Sequence, residues 1–452
     1  MKKKALAIAA AALMLTIGAS VTSYASGWSS ENGTWVYLEN SGDRVRDTWK
    51  KGADGKWRYL DSNGYMATDC WVDDYYYVDS EGIMVSGKWL QLDRSSFGST
   101  EDNNWYYFGD SGKCIVDAWK KINDKWYHFS DEGAVEYGWV DDNMYYTGED
   151  GAALIGWHKL EPSDDEDNTS NLDGDGRQWY YFNSSGKKFV PDLDDGAEYG
   201  EKRIDGYYYC FDEYGAMQTG WVYLGTSIGE AGDISDFRFY DESSGKAVTG
   251  WYSAEPPEDL SGYDDSVEWF YFNRNGEPKY GPEEGEATTK DFLRVNNKTY
   301  LFNQLGNPVS GLQKVHNSSN YDDYTAYYFD EVTRAVCKGK MNIAEGDGTL
   351  WQYYFQDSGR GYTGVEGGYL YYMGKLQKSE DSKYDVISIP SGDNYINYLI
   401  NASGKVVKST SGVKDSEGNK YVTNSSGIVN KINDDVISSS MEITPPAEPR
   451  WN

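Results

Sequence analysis

Histidine is nearly missing from this sequence. Its 452 residues hold three, His128, His158 and His316, each inside a repeat unit and none spaced for a triad or a metal cluster. Cysteine is nearly as rare. Cys70, Cys114, Cys210 and Cys337 stand far apart with no C-x-x-C, which argues against a zinc site and reads as buried or free thiols. Leu, Ile and Val are sparse, which argues against ordinary aliphatic-cored globules. Basic residues are outnumbered, 42 Lys and Arg against 73 Asp and Glu, for a formal charge of -31. A surface this acidic repels nucleic acid and anionic lipid and weakly favours cationic ligands. After residue 25 no apolar run is long enough to span a bilayer.

What is abundant is Tyr (41), Trp (17) and Gly (50). Aromatic residues must therefore supply the apolar burial that aliphatics usually supply. Residues 1–25 read as a signal peptide: Lys2, Lys3 and Lys4 precede a short apolar stretch, Ala5 to Ile17, and Ser23-Tyr24-Ala25 fits a small-residue cleavage site. The reading makes the protein secreted, with a mature chain from about Ser26.

Long-range periodicity organises the rest. One series of tryptophans, Trp28, Trp49, Trp71, Trp89, Trp119, Trp139, Trp157, Trp221 and Trp251, recurs at intervals that are often about 20 residues. A second, Trp35, Trp57, Trp105, Trp126, Trp179, Trp269 and Trp351, falls between them. Each unit reads G-W, a few polar residues, W-Y-Y-F, D-x-x-G and then T-G-W. "WYYF" at 105–108 is strand-like, and "DSNG" or "NSSG" is a turn with Gly at the positive-φ position. Each unit is expected to be a hairpin formed by the W-Y-Y-F strand, the turn and a short return segment. One such hairpin buries too little to fold alone, whereas stacked hairpins cover one another. The expected fold is all-β, an elongated solenoid of β-hairpin repeats. Alternation puts Trp105 and Tyr107 on one face and Tyr106 and Phe108 on the other.

The expected organisation is a signal peptide (1–25), a repeat solenoid with acidic loop insertions (26–340), degenerate repeats (341–435) and a flexible tail (436–452). The insertions, of which Glu161 to Arg177 is the most acidic, fall between the leading Trp and W-Y-Y and read as loops at hairpin tips. "NLDGDGR" has calcium-ligand residue types but lacks the full EF-hand pattern, and a solvated loop is the simpler reading. "GDSG" at 109–112 has the order of a serine-protease nucleophile segment, but the same slot elsewhere holds ordinary turns. Asn183-Ser184-Ser185 likewise reads as turn chemistry.

"KWRYLDSNGYMATDCW" and "AWKKINDKWYHFSDEGAVEYGW" resemble the cell-wall-binding, or choline-binding, repeats of bacterial surface proteins and autolysins. Related repeats occur in glucan-binding regions of glucosyltransferases and in clostridial toxins; the second Trp favours the choline-binding branch. The resemblance covers roughly residues 27–430 and weakens after about Lys340. It implies ligand cages between consecutive hairpins, two aromatics from one repeat and one from the next. Carried over, Trp28 and Trp35 would meet Tyr59, Trp49 and Trp57 would meet Tyr77, and Trp71 and Tyr75 would meet Tyr107. Trp119 and Trp126 would meet Tyr146, Trp157 and Trp179 would meet Tyr209, and Trp221 and Phe237 would meet Tyr271. Three junctions depart from the pattern: Trp89 and Trp105 face His128, Trp139 pairs with Met144, and Trp251 and Trp269 face Leu301.

The implied function is a secreted, non-catalytic protein anchored to choline-bearing teichoic acid or a related wall polysaccharide. A glucan or other glycan binder, a surface adhesin whose acidic loops meet a host or partner protein, and the binding part of a wall hydrolase are the alternatives. No cofactor or metal is expected. For any single junction, aromatic packing with no ligand is the competing explanation.

Overall fold

A computed structural model describes residues 26–93, 104–164, 172, 174–194, 196–225, 232–263, 267–379 and 383–451. The expected signal peptide and most of the acidic insertion at 165–173 lie outside them. Two compact units divide the chain, one of residues 1–165 with 179–189, the other of 166–178 with 190–452. The chain is all-β and built from hairpins; its described helical content is one 3-10 turn, Ile234–Asp236.

Among the described residues the first unit has seven hairpins: β1 (Gly27–Glu31) with β2 (Thr34–Leu38), β3 (Thr48–Lys51) with β4 (Trp57–Leu60), β5 (Cys70–Val72) with β6 (Tyr76–Val78), β7 (Lys88–Leu92) with β8 (Asn104–Phe108), β9 (Ala118–Ile122) with β10 (Lys125–Phe129), β11 (Gly138–Val140) with β12 (Tyr145–Thr147), and β13 (Gly156–Leu160) with β14 (Gln178–Phe182). Here the structure corrects the sequence reading. The ladder joins the leading-Trp strand to the W-Y-Y-F strand, as in Trp89 opposite Tyr107 and Gln91 opposite Trp105. The segment after the D-x-x-G turn contributes a single bridge, such as Leu60 to Met66 or Phe129 to Val135.

Local chemistry explains this. The Asp61 carboxylate accepts the N–H groups of Asn63 and Tyr65 at 2.9 and 2.8 Å, closing the turn on itself. The residue that bridges back then spends its own N–H on the preceding hairpin. Met66 donates to the carbonyl of Trp35, Met84 to Trp57, Cys114 to Tyr75, Val135 to Trp105, Ala153 to Trp126 and Lys188 to Met144, at 2.7 to 2.9 Å. These six residues occupy one structural position, the return slot, and their bonds stitch each hairpin to the one before it.

The turn glycine permits the close stacking. Gly133, at φ +86°, would set a Cβ 2.9 Å from Cys114 Sγ and 3.0 Å from the Ile115 carbonyl oxygen. A return slot thus packs against the next turn, and a side chain there would push the hairpins apart.

Opposite residues of an antiparallel pair share a face. On β7–β8, Trp89, Gln91, Trp105 and Tyr107 form one face and Leu90, Leu92, Tyr106 and Phe108 the other. The second face is the buried one, with Val36, Leu60, Val78, Tyr106, Phe108, Phe129, Tyr180 and Phe182 fully buried. It packs under the tryptophan face of the preceding hairpin: Tyr106, Phe108 and Cys114 cluster with Trp71 and Tyr77, and Phe129 and Val135 with Trp89 and Tyr107.

The second unit continues with hairpins at Gly220–Tyr223 with Phe237–Tyr240, Gly250–Ala254 with Glu268–Phe272, and Gly311–Asn317 with Asn320–Phe329. A five-stranded sheet includes Leu350–Phe355 and Tyr369–Tyr372, and a long hairpin pairs Tyr384–Ser391 with Asn394–Asn401. Aliphatics take over the later core, where Leu370, Ile387, Ile389, Ile400 and Val406 form a cluster. The segment expected as a flexible tail is bonded back. Ser388 donates its N–H to the Thr444 carbonyl at 2.8 Å, Gln377 and Lys375 donate to the Ala447 and Glu448 carbonyls at 3.0 Å each, and Trp451 packs on the Leu312–Tyr353 cluster. Gln377 and Lys375 are buried donors that need acceptors, and the terminal backbone supplies them. All four cysteines are free thiols.

Candidate ligand sites between consecutive hairpins

The leading tryptophans are held by ring contacts. Each meets an aromatic directly across its own ladder: Trp28 meets Tyr37 at 5.6 Å, Trp49 meets Tyr59 at 5.2 Å, Trp71 meets Tyr77 at 5.8 Å and Trp89 meets Tyr107 at 5.1 Å. Five in the first unit also meet the second residue of the next W-Y-Y-F strand. Trp49 meets Tyr76 at 5.5 Å, Trp71 meets Tyr106 at 5.0 Å, Trp89 meets Tyr127 at 4.9 Å, Trp119 meets Tyr145 at 4.6 Å and Trp139 meets Tyr180 at 5.0 Å. Edge-on and tilted contacts prevail, as ring quadrupoles favour. Indole N–H bonds tie several of these tryptophans to the next hairpin: Trp119 donates to Asp141 Oδ2 at 3.1 Å and Trp139 to the Glu161 carbonyl at 2.9 Å.

The second tryptophans are treated differently. Trp35, Trp57, Trp105, Trp126 and Trp179 keep 38 to 43% of their surface exposed, and Tyr75, which replaces one of them, keeps 40%. Desolvating these rings would be favourable, so leaving them open suits a surface that waits for a ligand.

The structure shares out the proposed cage residues differently from the sequence expectation. Trp28 with Trp35, Trp49 with Trp57, and Trp119 with Trp126 do lie on common hairpin faces. For Trp49, Trp71 and Trp119 the ring met on the next hairpin is one residue earlier than expected: Tyr76 in place of Tyr77, Tyr106 in place of Tyr107, and Tyr145 in place of Tyr146. In the second unit Trp221 meets Phe270 at 4.9 Å, and Tyr271 belongs to Trp251 at 5.3 Å. Tyr59, Tyr77, Tyr107, Tyr146 and Tyr271 each serve the leading Trp of their own hairpin. Trp28 and Trp35 face a strand with Arg58 at the corresponding position, its guanidinium held by Asp54. Phe237 shares a face with Trp221, at 6.4 Å. Trp157 meets Tyr181 at 5.1 Å, while Tyr209 belongs to the second unit and is buried there. Slipping by one residue flips a strand's face. The alternation in W-Y-Y-F held the signal, since the face meeting a tryptophan face must be the opposite one.

That slip changes the standing of the Trp89 junction. His128 pairs with Trp119 inside its own hairpin at 4.8 Å and with the Glu136 carboxylate. Tyr127 faces Trp89 instead. A cavity of about 460 Å³ opens there, lined by Trp89, Trp105, Tyr127, Val135, Tyr137, Glu149 and Asp150. Four rings and two carboxylates surround one space, an arrangement suited to a cation with apolar substituents. Asp150 also accepts a 2.6 Å bond from Lys125. That bond, opposed by partial burial, holds its carboxyl below the usual range. Burial, and then the charge of Asp150, push the Tyr137 hydroxyl up. Among the described residues no three His, Cys, Asp or Glu side chains group as a metal site, and no helix is long and apolar enough to cross a membrane.

A family model described as "Choline-binding repeat" matches residues 45–89, and one described as "Putative cell wall binding repeat" matches residues 100–114, 117–135 and 175–188. Glucosyltransferase-S of Streptococcus mutans is 27% identical over 263 residues, which are 50% of this chain and 16% of that protein. Among solved structures, the modular autolysin LytC of Streptococcus pneumoniae in complex with a synthetic peptidoglycan ligand is 18% identical, over 63% of this chain and 53% of that one, with a TM-score of 0.38. Choline binding protein F of the same organism, in the presence of a peptidoglycan analogue, is 21% identical over 67% and 98%, with a TM-score of 0.36. The chain thus spans about a sixth of the curated relative and about half of the autolysin. The matched repeats and the hairpins they fall on identify this chain as one that carries repeats of the choline-binding, cell-wall-binding family.

Proposed function

We propose that the protein is a secreted anchoring protein that holds choline groups of wall teichoic acid, or of a related wall polymer, in the spaces between consecutive hairpins, and that it binds without catalysing a reaction. The observation that carries this reading is the Trp89–Trp105–Tyr127 cavity with its carboxylate rim. A quaternary ammonium has no N–H to donate, so ring faces and nearby negative charge are the groups that recognise it. Each ring contributes about 0.5–2 kcal/mol, so three give roughly 1.5–6 kcal/mol, a range centred near the ~4 kcal/mol of millimolar binding at one site. Several weak sites on a polymer bearing many choline groups gain by avidity. The formal charge of -31 opposes teichoic-acid phosphate, so contact would run through the cationic head group.

A second reading, stacking of the open tryptophan faces on sugar rings of a glucan, draws on the likeness to glucosyltransferase-S. One calorimetric experiment separates the two. Choline is titrated into the protein against sodium chloride of equal ionic strength, and a soluble α-glucan is titrated in parallel. Saturable choline heat beyond the salt control supports the first reading. Choline heat equal to the salt control, with saturable glucan binding, replaces it with the second.

A further inference from the structure

The return slot is uncharged at five of the six stacked positions: Met66, Met84, Cys114, Val135 and Ala153. At the Trp89 junction Val135 stops short and the cavity stays open. At the Trp139 junction the slot is Lys188. Its backbone is fixed by the 2.7 Å bond to the Met144 carbonyl and its side chain runs inward, leaving the residue 5% exposed. Its ammonium lies 4.5 Å from the Trp139 ring centroid and 5.2 Å from that of Tyr180. Those rings are the counterparts of Trp89 and Tyr127. A lysine reaches this depth only if the lost hydration is replaced, and ring faces are part of that replacement.

We propose that the Lys188 ammonium is the resident cation of the Trp139–Tyr180 junction and closes that junction to an external quaternary ammonium. Two magnitudes favour the resident. A free choline binds such a site at about millimolar strength, while a tethered group acts at an effective concentration of at least that order. Met144 stands where neighbouring hairpins carry an open second ring, so an incoming ligand also has one ring fewer to gain. The closing effect rests on the proposed choline reading; the position of the ammonium does not.

The test uses the full chain with 13C-labelled tryptophan and lysine. Ring currents place the Lys188 ε-methylene protons upfield of the other lysines in the wild-type protein, and Trp139→Leu returns them. With choline, the Trp139 indole resonance stays still in the wild type while those of the open junctions move. In Lys188→Ala it moves saturably, and in Lys188→Met, which refills the space with an uncharged chain, it moves less. An unshifted lysine resonance overturns the proposal. So does a Trp139 that responds in the wild type as it does in Lys188→Ala, or that stays still in Lys188→Ala while other junctions respond. If no tryptophan responds in any variant, the choline reading and the closing effect both fail, and the lysine resonance alone decides whether the ammonium is resident.

Discussion

Replacing Tyr127 by Leu tests the register of the Trp89 junction. The substitution keeps apolar bulk under Trp89, where the two rings now sit 4.9 Å apart, and removes the ring face that lines the cavity. His128→Leu, one residue on, removes a ring that lies on Trp119 in its own hairpin. One ring of a cage is worth about 0.5–2 kcal/mol, so Tyr127→Leu should weaken choline at this junction by about two- to thirtyfold. His128→Leu should leave that junction within about twofold. The assay is the choline dependence of the Trp105 indole resonance in 13C-tryptophan-labelled protein, assigned with Trp105→Phe. Trp105 is 42% exposed, so it reports the site without carrying the fold. The reverse order, with His128→Leu weakening the Trp105 response and Tyr127→Leu leaving it alone, would refute the alternation argument on which every junction here depends.

Gly133→Ala should lower the urea midpoint more than Gly55→Ala. Both residues have positive φ, but a Cβ at Gly133 meets Cys114 and Ile115 while one at Gly55 meets nothing within 4 Å. The left-handed backbone costs about 1–2 kcal/mol at each, and crowding adds about 1–3 kcal/mol at Gly133 alone. In the second unit, the Lys375–Glu345 pair is buried, with side-chain exposures of 4 and 0%. Lys375→Ala removes the counter-charge of the buried carboxylate, leaving it the Tyr353 hydroxyl as a donor, and should cost about 3–5 kcal/mol in denaturant unfolding. For Asp150, whose folded carboxyl is depressed chiefly by its bond to Lys125, any stabilisation is present above the ordinary carboxylate pKa and is lost as pH falls through the lowered value. Lys125→Ala should move the Asp150 midpoint upward in a carbon-detected NMR titration.

Much of the fold was legible in the chain. The W-Y-Y-F strand, the turn begun by Asp61 or Asn183 and closed by a glycine, and the two interleaved tryptophan series follow from strand alternation and turn stereochemistry. These are local properties, set within a few residues, and the abundance of rings is legible from composition alone. Three things were not local. The partner of W-Y-Y-F is the strand before it, because the return slot spends its N–H on another hairpin. Whether Tyr127 or His128 completes a junction depends on which face of one hairpin meets which face of the next. That Lys188 fills one junction while Val135 leaves another open depends on where a side chain ends in the stack. Neighbouring letters encode strands and turns. Only the stacking of one hairpin on another places groups from separate repeats around the same space, and what the stack puts there decides whether that space is open or filled.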